Sequence, residues 1–170
     1  AADSYIPSLA GERLCSDELQ VVCAPGHPLA GCRSVAAGAL VEHAYLSREQ
    51  GSGTREVTDL YLTRAGIEPG ALNVVMEASS LEALKGLVEA GMGFAIMSHV
   101  SVLKEVRLGL LVRIPLSPPI TRQLTAVYPR ERIQSGLVGA FVQFAKRRLD
   151  APPGEAAEDK ELAISARSAP

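Results

Sequence analysis

The residues of this chain best suited to chemistry lie in a polar loop rich in glycine and hydroxyl groups. The loop follows a predicted strand that ends near Ser47, and its donors are Ser52, Gly53 and Thr54. Its glycines allow the backbone to approach a ligand closely. The first N–H groups of the helix predicted over Arg55–Ala65 have no partner within that helix, and the helix dipole favours a negative charge beside them. The loop therefore predicts an anion site, although an ordinary strand-to-helix turn with a hydroxyl N-cap explains the same residues equally well.

A second hydroxyl-rich helix start follows one strand–helix unit later. Ser79 and Ser80 come after a predicted strand over Asn73–Glu77 and precede a predicted amphipathic helix. Plain N-capping accounts for either serine alone, and Glu82, three residues after Ser79, has the spacing of a capping box. Because parallel strands end at one edge of a sheet, we expect both helix starts at the edge where α/β sheets bind ligands. The candidate ligand-binding residues are Ser47, Ser52, Gly53, Thr54, Ser79 and Ser80.

The sequence contains no motif that indicates catalysis or a metal site. The glycine loop lacks the lysine of a Walker A motif and the third glycine of a dinucleotide fingerprint, and there is no G-x-S-x-G elbow. Glu77 lies near the predicted ligand edge without an obvious second carboxylate or base. Cys15, Cys23 and Cys32 have neither the even count of a disulfide framework nor the short spacing of zinc ligands. We therefore predict no catalytic residue, no metal and no cofactor.

Composition and charge argue against direct contact with nucleic acid or membrane. The 170 residues carry a formal net charge of −2, whereas a domain that grips phosphates needs a basic face. Apolar residues make up 47% of the chain and aromatic residues only 4%, which is typical of aliphatic packing between helices and a buried sheet. No stretch is long and apolar enough to span a bilayer, and the N-terminal residues lack the basic and apolar regions of a signal peptide. With its unpaired cysteines, the chain is predicted to be cytoplasmic.

Strands and helices alternate through the middle of the chain, which predicts an α/β fold with a mostly parallel sheet and flanking helices. The first buried strand is predicted over Leu19–Ala24 and a short helix, capped by Ser34, over Ser34–Leu40. A longer amphipathic helix is predicted over Ser135–Leu149, and residues 151–170 have the composition of a disordered tail. The side chains expected to face inward from the longer helix are Leu137, Val138, Phe141, Val142, Phe144 and Ala145.

Several segments, in order, resemble the effector-binding domain of LysR-type transcriptional regulators. Residues 25–29, Pro-Gly-His-Pro-Leu, are similar to a turn that follows a strand in that family. Residues 51–55, Gly-Ser-Gly-Thr-Arg, are similar to the loop of members that regulate sulfur assimilation or carbon fixation. The most specific block runs from Glu77 to Ser98 and comprises a helix, a Gly-Met-Gly turn and an apolar strand. The resemblance covers residues 12–149.

The resemblance implies a two-lobed, periplasmic-binding-protein-like (type 2) fold that holds its effector between the lobes. Residues 20–122 would form the second lobe, and residues 1–19 together with 123–150 would form an incomplete first lobe. The resemblance also implies a homo-oligomer that reaches DNA only through a helix-turn-helix domain absent from this sequence.

These observations favour a sensor that binds a small anionic metabolite. The main alternative is a free-standing solute-binding protein of the periplasmic type, whose loops are also rich in glycine and serine; the free cysteines and the lack of a signal peptide argue against it. The third class, an enzyme on the same fold, lacks an acid–base pair.

Overall fold

The computed structural model describes residues 8–130 and 136–150, which form helices and short strands in two compact units. One unit, called here the larger unit, comprises residues 17–122, and the smaller unit contains the described residues 8–16, 123–130 and 136–150. The strands are β1 (Leu9–Cys23), β2 (Val35–Ala36), β3 (Ala44–Arg48), β4 (Asn73–Ala78), β5 (Ala95–Ser98), β6 (Val112–Ile114), β7 (Leu116–Ser117) and β8 (Ile120–Pro129). The helices are α1 (Gly53–Arg64), α2 (Leu81–Glu89), α3 (Leu103–Arg107) and α4 (Gly136–Asp150).

The α/β fold is confirmed, but the strands pair in both directions. Strands β3 and β4, which α1 connects, are parallel as predicted, and so are β2 and β7. The prediction of a mostly parallel sheet was wrong for β1, which is antiparallel to both β5 and β6. Alternation of strands and helices along the chain fixes the direction of consecutive strands joined by a crossover. It does not fix the direction of β1, whose partners lie far away in sequence.

The core of the larger unit covers both faces of the central strands. Val21 and Ile96 belong to one apolar cluster, into which α1 packs through Leu62. The neighbouring residue Val22 faces the other cluster, into which α2 packs through Leu84. Buried faces on both sides explain why these strands read as continuous apolar runs rather than as an alternating pattern. The two helices are thereby held against the sheet with their N-terminal ends following β3 and β4.

A close approach between two chain segments fixes the end of β3 nearest Phe94. The amide of Phe94 donates to the carbonyl of Ala44 at 3.0 Å, and Leu46 donates to the carbonyl of Phe94 at 2.8 Å. Gly93 has a φ of +156°, and a Cβ atom there would lie 2.4 Å from the Ala44 oxygen. Only glycine fits this position without displacing backbone, because any side chain would collide with the carbonyl.

One predicted helical segment differs from the structure, and another is observed. In place of a helix capped by Ser34, β2 is followed by a 3₁₀ helix over Ala37–Glu42. The predicted helix over Ser135–Leu149 is observed as α4, although Ser135 and the predicted disordered tail, residues 151–170, lie outside the described residues.

The prediction that one face of α4 is buried was largely wrong. Val142 is buried, whereas Leu137, Phe141 and Phe144 are 80%, 62% and 57% exposed. Helical periodicity identifies which face of a helix is apolar. It carries no information on whether another element covers that face.

Candidate functional site

Three of the predicted residues lie along the segment that runs from β3 into the start of α1. Ser47 is buried within β3, and its hydroxyl donates to the carbonyl of Arg48 at 3.0 Å. Ser52 is the N-cap residue of α1, but its side chain forms no capping hydrogen bond. Gly53 is the first residue of the helix, so its N–H is one of the donors that a helix start leaves without an internal partner.

Thr54, the fourth predicted residue, lines a small cavity in the larger unit. The cavity has a volume of about 160 Å³ and is formed where α1 and α2 begin and β5 ends. Its lining combines two guanidinium groups, three hydroxyl groups and two apolar side chains: Arg48, Arg122, Thr54, Ser98, Ser101, Leu81 and Met97. We call it the Arg48–Arg122 cavity.

Arg122 is held in this cavity by contacts with β1 and α1. Its Nε donates to Oδ2 of Asp17 at 2.8 Å, and its Nη1 donates to the Thr54 hydroxyl at 3.0 Å. The Asp17 carboxylate, which is only 4% exposed, also accepts a hydrogen bond from the Ser98 hydroxyl at 2.6 Å. Asp17 does not line the cavity itself. It therefore positions the guanidinium group of Arg122 and accepts the single proton of the Ser98 hydroxyl, which leaves Ser98 only acceptor lone pairs on its oxygen.

Arg48 is oriented in a similar way by its neighbour. Its Nε and Nη2 donate to the two carboxylate oxygens of Glu49 at 2.7 and 2.9 Å. This hydrogen bonding raises the pKa of Arg48 and lowers the pKa of Glu49, so the pair is ionised at neutral pH. Nη2 also donates to the carbonyl oxygen of Ser79 at 3.4 Å, which links Ser79 to a residue of the cavity. The second arginine thus faces the cavity as a fixed cation.

The remaining predicted residues have structural contacts of their own. Ser80 is the N-cap of α2 and accepts a hydrogen bond from the amide of Ala83, so the capping box predicted from Ser79 is not the one formed. Arg55 donates to Oε2 of Glu77 at 2.5 Å and to the carbonyl of Arg48, which ties α1 to β3 and β4.

Sequence reasoning missed most of the side chains that line the cavity. Arg48 lay inside the predicted loop but was not singled out. Ser98 was visible as the polar residue that closes an apolar strand at the predicted ligand edge. Arg122 and its partner Asp17 are 105 residues apart, and no local pattern connects them.

The arrangement suits the binding of an anion rather than a reaction. Two guanidinium groups and the Thr54 hydroxyl, which accepts a hydrogen bond from Arg122, converge on a cavity whose lining contains no carboxylate. The hydroxyls of Ser98 and Ser101 donate their protons to Asp17 and to the Ser98 carbonyl, so they present only acceptor oxygens to the cavity. Charge-assisted hydrogen bonds from arginine to a phosphate, sulfate or carboxylate are the strongest polar contacts that such a lining offers. Within residues 8–130 and 136–150, no cluster of three or more His, Cys, Asp or Glu side chains is arranged to hold a metal ion. None of the helices in the same residues is both long enough and apolar enough to cross a bilayer.

The fold and the cavity together define an α/β ligand-binding domain. The model of the LysR substrate binding domain family matches residues 2–150, and the chain belongs to this family. It is thus the effector-binding domain of a LysR-type regulator, which confirms the resemblance and favours the sensor over the free-standing solute-binding protein.

Two curated relatives of the chain are named as transcriptional regulators. It is 32% identical over 139 residues to the "Probable RuBisCO transcriptional regulator" of Cyanidioschyzon merolae, which covers 81% of this chain and 46% of the relative. It is 36% identical over 127 residues to the "HTH-type transcriptional regulator CbbR" of Cereibacter sphaeroides, which covers 74% of this chain and 40% of the relative. The chain therefore spans less than half the length of these relatives.

A solved structure of a similar domain supports the same assignment. The CcmR regulatory domain of Synechocystis PCC6803, solved in complex with 2-PG, superposes with a TM-score of 0.73 at 25% sequence identity. The superposition covers 84% of this chain and 68% of the other.

Proposed function

We propose that the Arg48–Arg122 cavity binds a small anionic effector and that the domain is a sensor without catalytic activity. The observation that carries the proposal is the convergence of two oriented guanidinium groups on one small cavity lined by hydroxyls and free of carboxylates. The N–H groups of Gly53 and Thr54 at the start of α1 add donors and a partial positive charge at the same end of the helix. Ser47, Ser52, Ser79 and Ser80 remain predicted hydrogen-bond donors to the effector.

The size of the cavity narrows the class of effector. Drug-sized ligands occupy sites of about 300–1,000 Å³, whereas this cavity has a volume of about 160 Å³. A compact phosphate, sulfate or short carboxylate fits such a space better than a nucleotide. The 2-PG complex of the similar CcmR regulatory domain is consistent with a compact effector.

Isothermal titration calorimetry of this chain tests the proposal directly. The ligands are 2-PG, inorganic sulfate, thiosulfate and a phosphorylated sugar, and the same sugar without phosphate is the matched neutral control. We expect heat of binding with at least one anion and none with the neutral sugar. Equal heats for the sugar with and without its phosphate would contradict an anion site, as would the absence of heat with every anion.

We further propose that the domain acts within a longer cytoplasmic regulator that carries its DNA-binding helix-turn-helix elsewhere. The relatives are more than twice as long as the matched segment, and the net charge of −2 does not suit phosphate contacts. The division into a second lobe over residues 20–122 and a partial first lobe belongs to the same proposal. A DNA-binding assay with this chain alone should show no specific binding. Specific binding would contradict the proposal that DNA is bound by a separate helix-turn-helix domain.

We also propose a homo-oligomer in which β4 meets a second copy of the chain. Strand β4 pairs with β3 but with no other described strand, and its side chains Val74, Val75 and Met76 are exposed. An apolar edge strand is a template for pairing with another chain, and self-pairing produces a closed two-fold dimer. Light scattering after size-exclusion chromatography should show a dimer that Val75→Lys weakens. A wild-type monomer at all accessible concentrations would contradict this proposal.

A further inference from the structure

The larger unit contains a second and more spacious cavity beside α3. Its volume is about 500 Å³, and it is lined by Lys85 of α2, by residues of the 3₁₀ turn before α3, and by α3 itself. We call it the α3 cavity. Neither arginine of the Arg48–Arg122 cavity lines it, and Ser101 is the one residue that lines both.

The α3 cavity has two buried charged side chains in its wall. Lys85 and Glu105 are only 7% and 9% exposed, and they form an ion pair of 2.7 Å through Glu105 Oε1. Lys85 Nζ also lies 2.8 Å from a carboxylate oxygen of Glu82. This pairing raises the pKa of Lys85 and lowers the pKa of Glu105, so both are charged at neutral pH.

The pairing leaves hydrogen-bonding capacity unused inside the protein. Glu105 Oε2 is buried and has no hydrogen-bond partner among the described residues. An ammonium group has three donors, and the ion pairs of Lys85 with Glu82 and Glu105 use two of them. A buried acceptor without a donor costs about 1–3 kcal/mol, so native proteins usually satisfy such groups with protein, water or ligand. Lys85 therefore offers a donor at the wall of the cavity, and Glu105 Oε2, which is buried in this structure, offers an acceptor once its side chain turns toward the cavity.

The rim of the same cavity is cationic. Lys104 and Arg107 both line it, are exposed, and form no salt bridge with a described residue. Three cations and one carboxylate therefore line the space, together with apolar side chains that include Leu103 and Leu108. Unpaired cations beside an apolar wall suit an organic anion better than an inorganic one, because a carbon frame can cover the apolar wall.

We propose that the α3 cavity is a second ligand site, specific for a small organic anion that carries a hydroxyl group near its phosphate or carboxylate. The anionic group binds Lys104 and Arg107 at the rim. On binding, the Glu105 side chain turns toward the cavity, and the ligand hydroxyl donates to Oε2 and accepts from Lys85, which gives both groups the hydrogen-bond partner that they lack. The carbon atoms between these groups lie against Leu103 and Leu108. This site does not depend on the proposed role of the Arg48–Arg122 cavity.

Amide chemical shifts of the isotopically labelled chain distinguish the two sites. The probes are glycerol 3-phosphate and glycerate, which carry the two candidate anionic groups, with inorganic phosphate and glycerol as partial controls. We expect saturable shifts at Leu108 and Gly109 for at least one hydroxylated anion, with binding about tenfold tighter than for either partial control. Shifts confined to Thr54 and Ser98, or no shifts with any probe, would overturn the proposal.

Variants of exposed residues test the rim without disturbing the fold. Lys104→Ala with Arg107→Ala should weaken binding followed at Leu108 by about tenfold or more, since two charge-assisted contacts are removed. The control pair, Arg33→Ala with Arg64→Ala, removes the same charge from exposed positions that do not line the α3 cavity. If both pairs of substitutions weakened ligand binding equally, the effect would come from net charge at long range, and the proposed site would be wrong.

A third variant separates the wall from the rim. Glu105→Gln keeps the shape of the side chain but replaces the carboxylate acceptor, and circular dichroism would verify that the variant is folded. We expect it to reduce the preference for glycerol 3-phosphate over inorganic phosphate. An unchanged preference in the folded variant would overturn the role assigned to the buried carboxylate.

Discussion

The replacement Arg122→Ala tests the anion site at an arginine that contacts both β1 and α1. Two of the five guanidinium N–H groups are occupied by Asp17 and Thr54, at 2.8 and 3.0 Å. Three donors remain for a ligand in the cavity that Arg122 lines. The replacement removes these donors and one positive charge.

The expected loss of affinity follows from the number of contacts. A hydrogen bond to a charged group contributes about 1.5–3 kcal/mol, and about 1.4 kcal/mol corresponds to a tenfold change in binding. Loss of one such contact predicts about 10- to 150-fold weaker anion binding by Arg122→Ala. Arg113→Ala is the matched control, because Arg113 is exposed on β6 and does not line the cavity.

The same replacement should also lower the free energy of unfolding. Asp17 would keep its hydrogen bond from Ser98 but lose its counter-ion while 4% exposed. Breaking a fully buried pair costs about 3–5 kcal/mol. We expect about 2 kcal/mol here, because Arg122 is partly exposed and Asp17 keeps one donor. The double variant Asp17→Asn, Arg122→Ala removes the buried charge and should recover stability without recovering affinity.

Titration calorimetry and urea unfolding of the four proteins decide between the possible results. The reasoning requires that Arg122→Ala and the double variant bind the anion weakly, while Arg113→Ala binds like wild type. If Arg113→Ala weakened binding as much as Arg122→Ala, the loss would come from the change in the net charge of the protein, and the reasoning that assigns a direct contact to Arg122 would be refuted. If the double variant regained affinity, Arg122 would matter through folding alone.

Three further replacements or labels test other parts of the structure. Gly93→Ala should lower the free energy of unfolding by about 2 kcal/mol or more, because the new Cβ atom would collide with a backbone oxygen. Gly86→Ala, on an open face of α2, should instead raise the free energy of unfolding by about 0.5–1 kcal/mol. Thermal melts in which the two substitutions had equal effects would contradict this prediction. Burial lowers the pKa of His27 below its ordinary value of 6.5, which applies in the unfolded chain. As the pH falls, the unfolded chain therefore binds a proton at His27 before the folded protein does. The free energy of unfolding should thus be highest above pH 6.5 and decrease as the pH falls through 6.5. His27→Asn should flatten the stability profile measured by urea unfolding between pH 5 and 7, and an unchanged slope would refute this. Burial raises the pKa of the Cys23 thiol to about 11. A thiol reagent at pH 8 should therefore modify exposed Cys32 in the folded protein, and Cys23 only after unfolding. If mass spectrometry showed both cysteines modified at equal rates in the folded protein, this prediction would be wrong.

Local features of the fold were predictable because they depend on neighbouring residues. Helix α1 was predicted over Arg55–Ala65, and Gly66, the residue after that range, has the positive φ of +75° that is common just beyond a helix end. The strand after Gly93 and the serine cap of α2 were predicted for similar reasons, with Ser80 rather than Ser79 as the cap. Thr54, a candidate from the predicted polar loop, lies in the first turn of α1 and lines the cavity, and its role in binding stays a prediction.

The remaining features depend on contacts between distant segments. Arg122 reaches the cavity through a carboxylate at position 17, and hydroxyl-rich motifs could not reveal an arginine outside them. The direction of β1 depends on strands that lie more than 70 residues later in the chain. The exposed face of α4 shows that an apolar pattern identifies a surface that could be buried. Whether that surface is buried depends on which other elements pack against it.

The central claim is that a small anion binds between Arg48 and Arg122 in the larger unit. The most direct test is anomalous diffraction at the selenium edge from crystals of this chain equilibrated with selenate. We predict a selenium peak within hydrogen-bonding distance of both guanidinium groups, and its disappearance in Arg122→Ala crystals. A selenium peak found only elsewhere on the protein, or no peak at selenate concentrations that saturate binding in solution, would contradict the account.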